Sequence, residues 1–130
     1  MEYVSKIIYK NKTIYCVDYS IFQKDNDKKE KTLQLLKMTA HSCLKQPENS
    51  VLALINVTNF YFDMDILNAF KESSNLIIPF EKKLAIIGVK GIIKTAYNFV
   101  IGATQDSKAK SFDSKEEAKE WLVKDESLQN

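Results

Sequence analysis

Few side chains in this sequence have both the type and the spacing that catalysis or metal binding requires. His41 is the only histidine, and Cys43 follows it by two residues on a predicted helix, so the two side chains point to different faces. This geometry argues against a Cys-His dyad. One histidine with two separated cysteines, Cys16 and Cys43, also supplies too few ligands for a zinc site. We therefore predict a non-enzymatic protein with no metal, no cofactor and no catalytic residue.

Polar side chains gather where the predicted strands end, and these are the candidates for binding. They are Asp18, Ser20, Asn56, Thr58, Asn59 and Lys90. Ligands of open parallel sheets settle at the carboxyl ends of the strands, so these groups could form a small polar crevice roofed by Tyr19, Tyr61 and Phe62. The same residue types also satisfy backbone groups in turns, and both interpretations are open.

Three consecutive aromatic residues, Phe60, Tyr61 and Phe62, lie on the loop after the predicted central strand. Aromatic side chains on a loop beside a hydrophobic helix bind small apolar ligands or protein partners. Core packing explains part of this run, since Phe62 and Leu67 have the spacing of a hydrophobic staple around a helix that Asp63 caps. An exposed Tyr61 would favour a binding surface.

These candidates are positioned by residues 51–57, which are apolar on both faces of any strand they form. A strand with no polar face must be covered on both sides, so we place it at the centre of an α/β sheet. Residues 83–89 hold a second strand of this kind. Residues 4–9 and 13–18 are predicted to form an antiparallel hairpin in which Asn11 takes a positive φ.

A short strand at residues 109–112 and four helices, over residues 27–45, 63–72, 91–104 and 114–124, complete the predicted elements. Two pairs have the spacing of capping boxes, namely Asp27 with Glu30 and Ser114 with Glu117. The predicted buried stripes are Leu33, Leu36, Ala40, Cys43 and Leu44 on the first helix, and Ile92, Ile93, Ala96, Tyr97, Val100, Ile101 and Thr104 on the third.

The order of these elements predicts a single α/β domain over residues 1–124, with a mixed sheet of about five strands and four helices. Residues 125–130 are expected to form a tail. If the second to fifth strands lie side by side in chain order, right-handed crossovers place their connecting helices on one face. The other face would then need a cover. Either the strand order folds back, or a partner covers that face, for example a second copy in a homodimer.

Composition narrows the classes of partner. The formal net charge is +2, and all 19 basic residues are lysines. Arginine is the residue that binds phosphates and guanine edges with two hydrogen bonds at once, so we expect no nucleic-acid partner. Three glycines with no GxGxxG or Walker sequence argue against a nucleotide at Gly88 and Gly91. No run approaches the ~18 apolar residues of a membrane span. Residues 1–4 lack a secretory signal, so we expect a cytoplasmic protein with reduced, buried thiols.

Three stretches carry a resemblance to a known family. They are Asp18-Tyr19-Ser20, Asn56-Val57-Thr58-Asn59, and the run from Gly88-Val89-Lys90-Gly91-Ile92 to Phe112-Asp113-Ser114-Lys115-Glu116-Glu117-Ala118. Together they resemble the bacterial STAS-like domains related to anti-sigma-factor antagonists, over residues 3–123. The resemblance implies a β-α superhelix and a regulatory role exerted by binding a protein partner.

Regulatory STAS domains carry Asp-Ser-Ser-Gly at the start of the helix after the central strand, where a serine is phosphorylated. The corresponding stretch here is Asp63-Met64-Asp65-Ile66, which keeps the aspartate and has no hydroxyl at the switch position. The resemblance thus implies partner binding without that phosphorylation switch. Asp65 is either a fixed acidic stand-in for the phosphate or an ordinary first-turn residue that complements the helix dipole.

The sequence therefore predicts a regulatory protein-interaction module that binds its partner through residues 58–70. The predicted binding residues are Asp18, Asn56, Thr58, Asn59, Tyr61, Asp63, Met64, Asp65 and Lys90. The alternative is a carrier or sensor of a small apolar or anionic ligand, held between residues 58–70 and the helix that begins at Gly91.

Overall fold

The computed structural model describes residues 4–124, so the predicted tail lies outside the described residues. It confirms the α/β fold, with five strands and four helices. The elements in chain order are β1 (Val4–Tyr9), β2 (Lys12–Asp18), α1 (Lys28–Cys43), β3 (Val51–Asn56), α2 (Met64–Ile77), β4 (Glu81–Ile87), α3 (Ile93–Gly102), β5 (Ala109–Phe112) and α4 (Lys115–Val123).

The five strands form one mixed sheet in the order β1-β2-β3-β4-β5, so β3 is its central strand as predicted. β1 and β2 are antiparallel, and every later pair is parallel. The hairpin turn uses positive φ at Asn11 (66°), as expected, and also at Lys10 (49°). Two successive residues of this kind suit the tight turn between two twisted strands.

Both faces of β3 are covered within the chain. Val51 and Ala53 face a core that α1, α2 and α3 share with the sheet, whereas Leu52 and Leu54 face a second core that includes Leu122 of α4. The three connecting helices thus share one face, as the crossover rule predicts. We expected the other face to be covered either by a strand order that folds back or by a partner. That expectation overlooked α4, which covers it. In the part of the chain that the structure describes, no strand follows α4, so no crossover to such a strand decides its face, and it packs on the second one.

α4 is held against the sheet by Lys83 of β4 and by Lys12 of the β1–β2 hairpin, which donates to the Val123 carbonyl at 3.0 Å. Lys83, which is buried, donates to the Trp121 and Lys124 carbonyls at the end of α4 at 2.8 and 2.9 Å. A lysine there satisfies carbonyls that a helix end leaves without intrahelical partners. At the other end, the Ser114 hydroxyl accepts from the Glu117 amide at 3.2 Å, confirming the predicted cap.

Three details of the predicted helices are wrong. Asp27 does not cap α1 with its side chain, and it forms an ion pair with Lys31 at 3.4 Å instead. α2 continues through Ser73, Ser74 and Asn75 to Ile77, beyond the predicted break. Leu44 and Ile92, placed in buried stripes, are exposed by 38% and 74%.

The two cysteines are free and half-buried, and they lie on opposite faces of the sheet. Burial raises the pKa of the Cys16 thiol and raises that of Cys43 to about 11, with a smaller contribution from Glu81 at Cys43. Both are therefore neutral thiols near pH 7. Among residues 4–124, no helix has the length and apolar character that crossing a membrane requires.

Candidate functional site

The loop and first turns of α2, residues 58–70, follow the central strand and are called the α2 corner below. Asp63 adopts an extended backbone, and its Oδ1 accepts from the Ile66 amide at 2.9 Å, which confirms the predicted N-cap. The cap satisfies one of the free amides in the first turn and fixes where α2 begins. Met64, the first residue of α2, is 57% exposed.

Lys29 ties the start of α1 to the start of α2. Its ammonium lies 2.8 Å from the Oδ2 atoms of both Asp63 and Asp65. Hydrogen bonds from Lys29 and from the Ile66 amide lower the pKa of Asp63. Hydrogen bonds to Asp63 and Asp65 raise the pKa of Lys29. The first turn of α2 therefore presents two carboxylates that share one cation.

Tyr61 lies at the surface of the corner, with 38% of its area exposed. Its hydroxyl donates to Asp63 at 3.2 Å, and the Lys28 ammonium stands 5.2 Å from the ring centroid. The Tyr61 amide donates to Gln23 Oε1 at 2.9 Å, and Gln23 Nε2 donates to the Tyr19 carbonyl at 2.5 Å. The ring is thus exposed but fixed in place.

The polar residues after β2 and β3 bind one another. The Ser20 amide and hydroxyl both donate to Asp18 Oδ1, at 2.8 and 2.5 Å, and Asn56 Nδ2 donates to the Ser20 hydroxyl at 3.4 Å. Asn56 Oδ1 then accepts from the amide and hydroxyl of Thr58, at 3.0 and 2.6 Å. This network satisfies local turns, which is the simpler of the two roles considered for these residues. Tyr19 is buried, so it does not roof a crevice.

Gly88 is where the loops after β3 and β4 meet. Its φ is 91°, and a Cβ there would lie 2.5 Å from the Thr58 amide nitrogen and hydroxyl. This close approach explains the glycine without a phosphate ligand. Asn59 has a positive φ of 57°, and both Asn59 and Lys90 are exposed at the same edge.

The three consecutive aromatic residues have different environments. Phe60 is buried and meets the rings of Tyr19 and Phe70 with centroids 5.9 and 5.4 Å apart. Phe62 is half-buried against the same core, and only Tyr61 is exposed. Behind Phe60 lies a cavity of ≈100 Å³ between the sheet and α1, α2 and α3, called the core cavity below.

The structure therefore brings Tyr61, Asp63, Met64 and Asp65 together at the α2 corner, while Asp18, Asn56 and Thr58 form the network beside it. Sequence reasoning missed Gln23, Lys28 and Lys29, which it treated as a polar connection and a solvated helix start. The two lysines alternate with Asp25, Asp27 and Glu30, which is the pattern of an exposed helix start. Such a local pattern does not indicate a contact with α2, which is distant in sequence.

Within residues 4–124, no three histidine, cysteine, aspartate or glutamate side chains are grouped closely enough to hold a metal ion. No family model matches the chain, and no curated protein and no solved structure is significantly similar to it.

Proposed function

We propose that this protein is a non-enzymatic regulatory module of the bacterial cytoplasm that binds a protein partner through the α2 corner, as its resemblance to STAS-like domains implies. The observation that supports this most is the 57% exposure of Met64, an apolar side chain on the first turn of a helix whose next residues but one, Ile66 and Leu67, are buried. A side chain of this kind gains free energy when a partner removes it from water.

Met64 is accompanied by further exposed apolar side chains at the carboxyl edge of the sheet. Ile21 follows β2, Tyr61 follows β3 and Ile92 follows β4, with exposed fractions of 52%, 38% and 74%. These parallel strands end at one edge, so the three residues belong to the same side of the molecule as Met64. Large apolar side chains mixed with charged groups are typical of protein interfaces.

The corner is also pre-organised for binding. The Asp63 cap, the Lys29 ion pairs and the Gln23 contact with the Tyr61 amide fix its backbone, and the close approach of Gly88 fixes Thr58. A surface that is ordered before binding loses less conformational entropy when a partner docks. This rigidity supports recognition by the corner as it stands, with no phosphorylation needed to shape it.

The test compares two single substitutions on α2. Met64→Lys places a charge in the proposed interface, and Leu76→Lys places the same charge at the far end of the helix, where Leu76 is 54% exposed. Affinity capture from lysate should recover a protein with the wild type and with Leu76→Lys, and Met64→Lys should reduce its recovery at least about tenfold. Equal capture by all three proteins, or equal loss with both variants, contradicts the proposal.

The core cavity supports a second candidate function, that of a carrier or sensor of a small ligand. It lies between the α2 corner and α3, and its walls include Tyr19, Phe60, Phe70 and Ile93. The residues of the described chain that line it include no cation, so an apolar ligand suits it better than an anionic one. Native mass spectrometry of freshly purified protein should then show a retained mass, and a clean chain mass counts against this candidate.

A further inference from the structure

A second and larger cavity, called the edge cavity below, lies where the parallel strands begin, at the edge of the sheet opposite the α2 corner. Its volume is ≈330 Å³, which is within the range of small-molecule sites. Most of its wall is apolar and comes from the sheet, from the second half of α1 and from the last residue of α2. These wall residues include Val17, Val51, Ala53, Ile55 and Ile77.

One acidic side chain, Glu81, lines this cavity. Glu81 is the first residue of β4 and pairs with Val51, so its side chain is on the same face of the sheet as the cavity. It is only 2% exposed. No buried side-chain nitrogen or oxygen within residues 4–124 lacks a hydrogen-bond partner, so the Glu81 carboxylate is not sealed off without one; it faces the space of the cavity. A carboxylate held in a mostly apolar wall is costly to ionise, and a cationic group beside it lowers that cost.

The nearest basic side chain does not supply that group. Lys108, which precedes β5, donates to the backbone carbonyls of Ile78 and Glu81 at 3.1 and 2.5 Å. Its charge lowers the pKa of Glu81, but burial outweighs it and raises that pKa to about 7. Cys43 of α1 and Tyr15 of β2 also line the cavity, and Cys43 is a neutral thiol near pH 7.

The composition of the wall indicates what could bind. Among the described residues that line the edge cavity, Glu81 is the only charged one, and Thr39, Ser42 and Gln46 are neutral hydrogen-bonding residues. Met38 and Ser42 are exposed, so the cavity opens beside α1. An anion would meet the Glu81 carboxylate, whereas a cation would neutralise it.

We propose that the edge cavity binds a small apolar molecule with one cationic amino group, whose ammonium donates to the Glu81 carboxylate while its body packs on Val51 and Ala53. Charge-assisted hydrogen bonds of this kind are about twice as strong as neutral ones, so the amine is the discriminating group. The site is independent of the α2 corner and does not require a protein partner.

Three matched probes test the chemistry on the full chain: benzylamine, benzyl alcohol and benzoate share a ring and differ in the head group. Titrations followed by amide chemical shifts at pH 8 should show benzylamine binding at least about tenfold more tightly than benzyl alcohol, and benzoate not binding. The shifted amides should be those of Cys43, Val51 and Glu81. Glu81→Gln should remove the preference for benzylamine, whereas Glu48→Gln, an exposed change, should keep it.

A measurement on the wild type alone guards against a variant that fails to fold. The affinity for benzylamine should fall at least about tenfold between pH 8 and pH 5, because Glu81 becomes protonated over that interval. Equal affinities for the amine and the alcohol overturn the proposal. Shifts that map away from the cavity, an affinity without pH dependence or no detectable binding also overturn it.

Discussion

Replacing Glu81 by glutamine tests whether burial raises the pKa of this carboxylate in the folded chain. Burial raises its pKa from an ordinary value of 4.5 to about 7. The folded chain therefore holds the proton more tightly than the unfolded chain does. The stabilisation by protonated Glu81 is fully present below pH 4.5 and is lost as the pH rises through about 7.

The size of the effect follows from the two pKa values. A rise from 4.5 to about 7 corresponds to a loss of about 3 kcal/mol in the free energy of unfolding between roughly pH 4 and pH 8. Asp63 and Glu120 have lowered pKa values, and their contributions run in the opposite direction, being lost as the pH falls. The wild-type curve alone therefore mixes both effects, and the difference between wild type and Glu81→Gln isolates Glu81.

The assay is urea unfolding across that pH range, followed by the fluorescence of Trp121, the only tryptophan. Relative to wild type, Glu81→Gln should gain about 3 kcal/mol on going from pH 4 to pH 8, whatever its absolute stability. Glu48→Gln, on an exposed residue, should run parallel to the wild type. Parallel curves for wild type and Glu81→Gln would refute the reasoning, because they would mean that Glu81 titrates alike in the folded and unfolded chains.

Two further predictions concern how the fold is held together. Gly88→Ala should lower the free energy of unfolding by at least about 2 kcal/mol, because the added Cβ would clash with Thr58 and φ at this residue is 91°. The control is Gly102→Ala, which should cost little, since an added Cβ there meets no neighbour within 4 Å. Equal urea midpoints for the two variants would contradict this prediction. Lys83→Met should cost about 2 kcal/mol by leaving carbonyls at the end of α4 without their donor, whereas Lys82→Met on the exposed neighbour should not. An unchanged midpoint for Lys83→Met would contradict this and show that these two hydrogen bonds add little to stability.

The central strand was predictable because its apolar pattern has a single explanation. Residues 51–54 are buried on both faces, and only a strand with neighbours and two covers satisfies them. The placement of α4 was not predictable in the same way. Its apolar residues show which side of the helix is buried, but they carry no information about which face of the sheet it meets.

The length of α2 shows how tertiary packing overrides local preference. Ser73, Ser74 and Asn75 have weak helix propensity, and their run predicts a break. In the structure Ser73 and Ser74 line the core cavity, and Asn75 donates to the Lys71 and Ala103 carbonyls at 3.0 and 3.2 Å. Contacts with α3 thus keep the helix going, and such contacts cannot be inferred from a local window.

The α2 corner was only partly predictable for a similar reason. The Asp63 cap depends on residues three apart, so its sequence spacing was sufficient. The Lys29 bridge joins residues 34 and 36 positions apart, and nothing local distinguishes Lys29 from the other lysines of α1. Glu81 was missed because the sequence places the start of β4 at Lys83, and because the register shift between Val51 and Leu52 alters the alternation there.

The two proposed sites are supported by opposite kinds of evidence. At the α2 corner Asp63 has its hydrogen-bond partner and the apolar side chain of Met64 is exposed. A partner that covers such a surface gains free energy by removing Met64 from water. In the edge cavity the wall is mostly apolar and Glu81 is the only charged residue among the described residues that line it, so a cation would find one oppositely charged group there. A loss of about 3 kcal/mol is a large part of the 5–15 kcal/mol that stabilises a typical domain. A cationic ligand beside Glu81 would offset that cost, so the folded chain would gain stability from binding it.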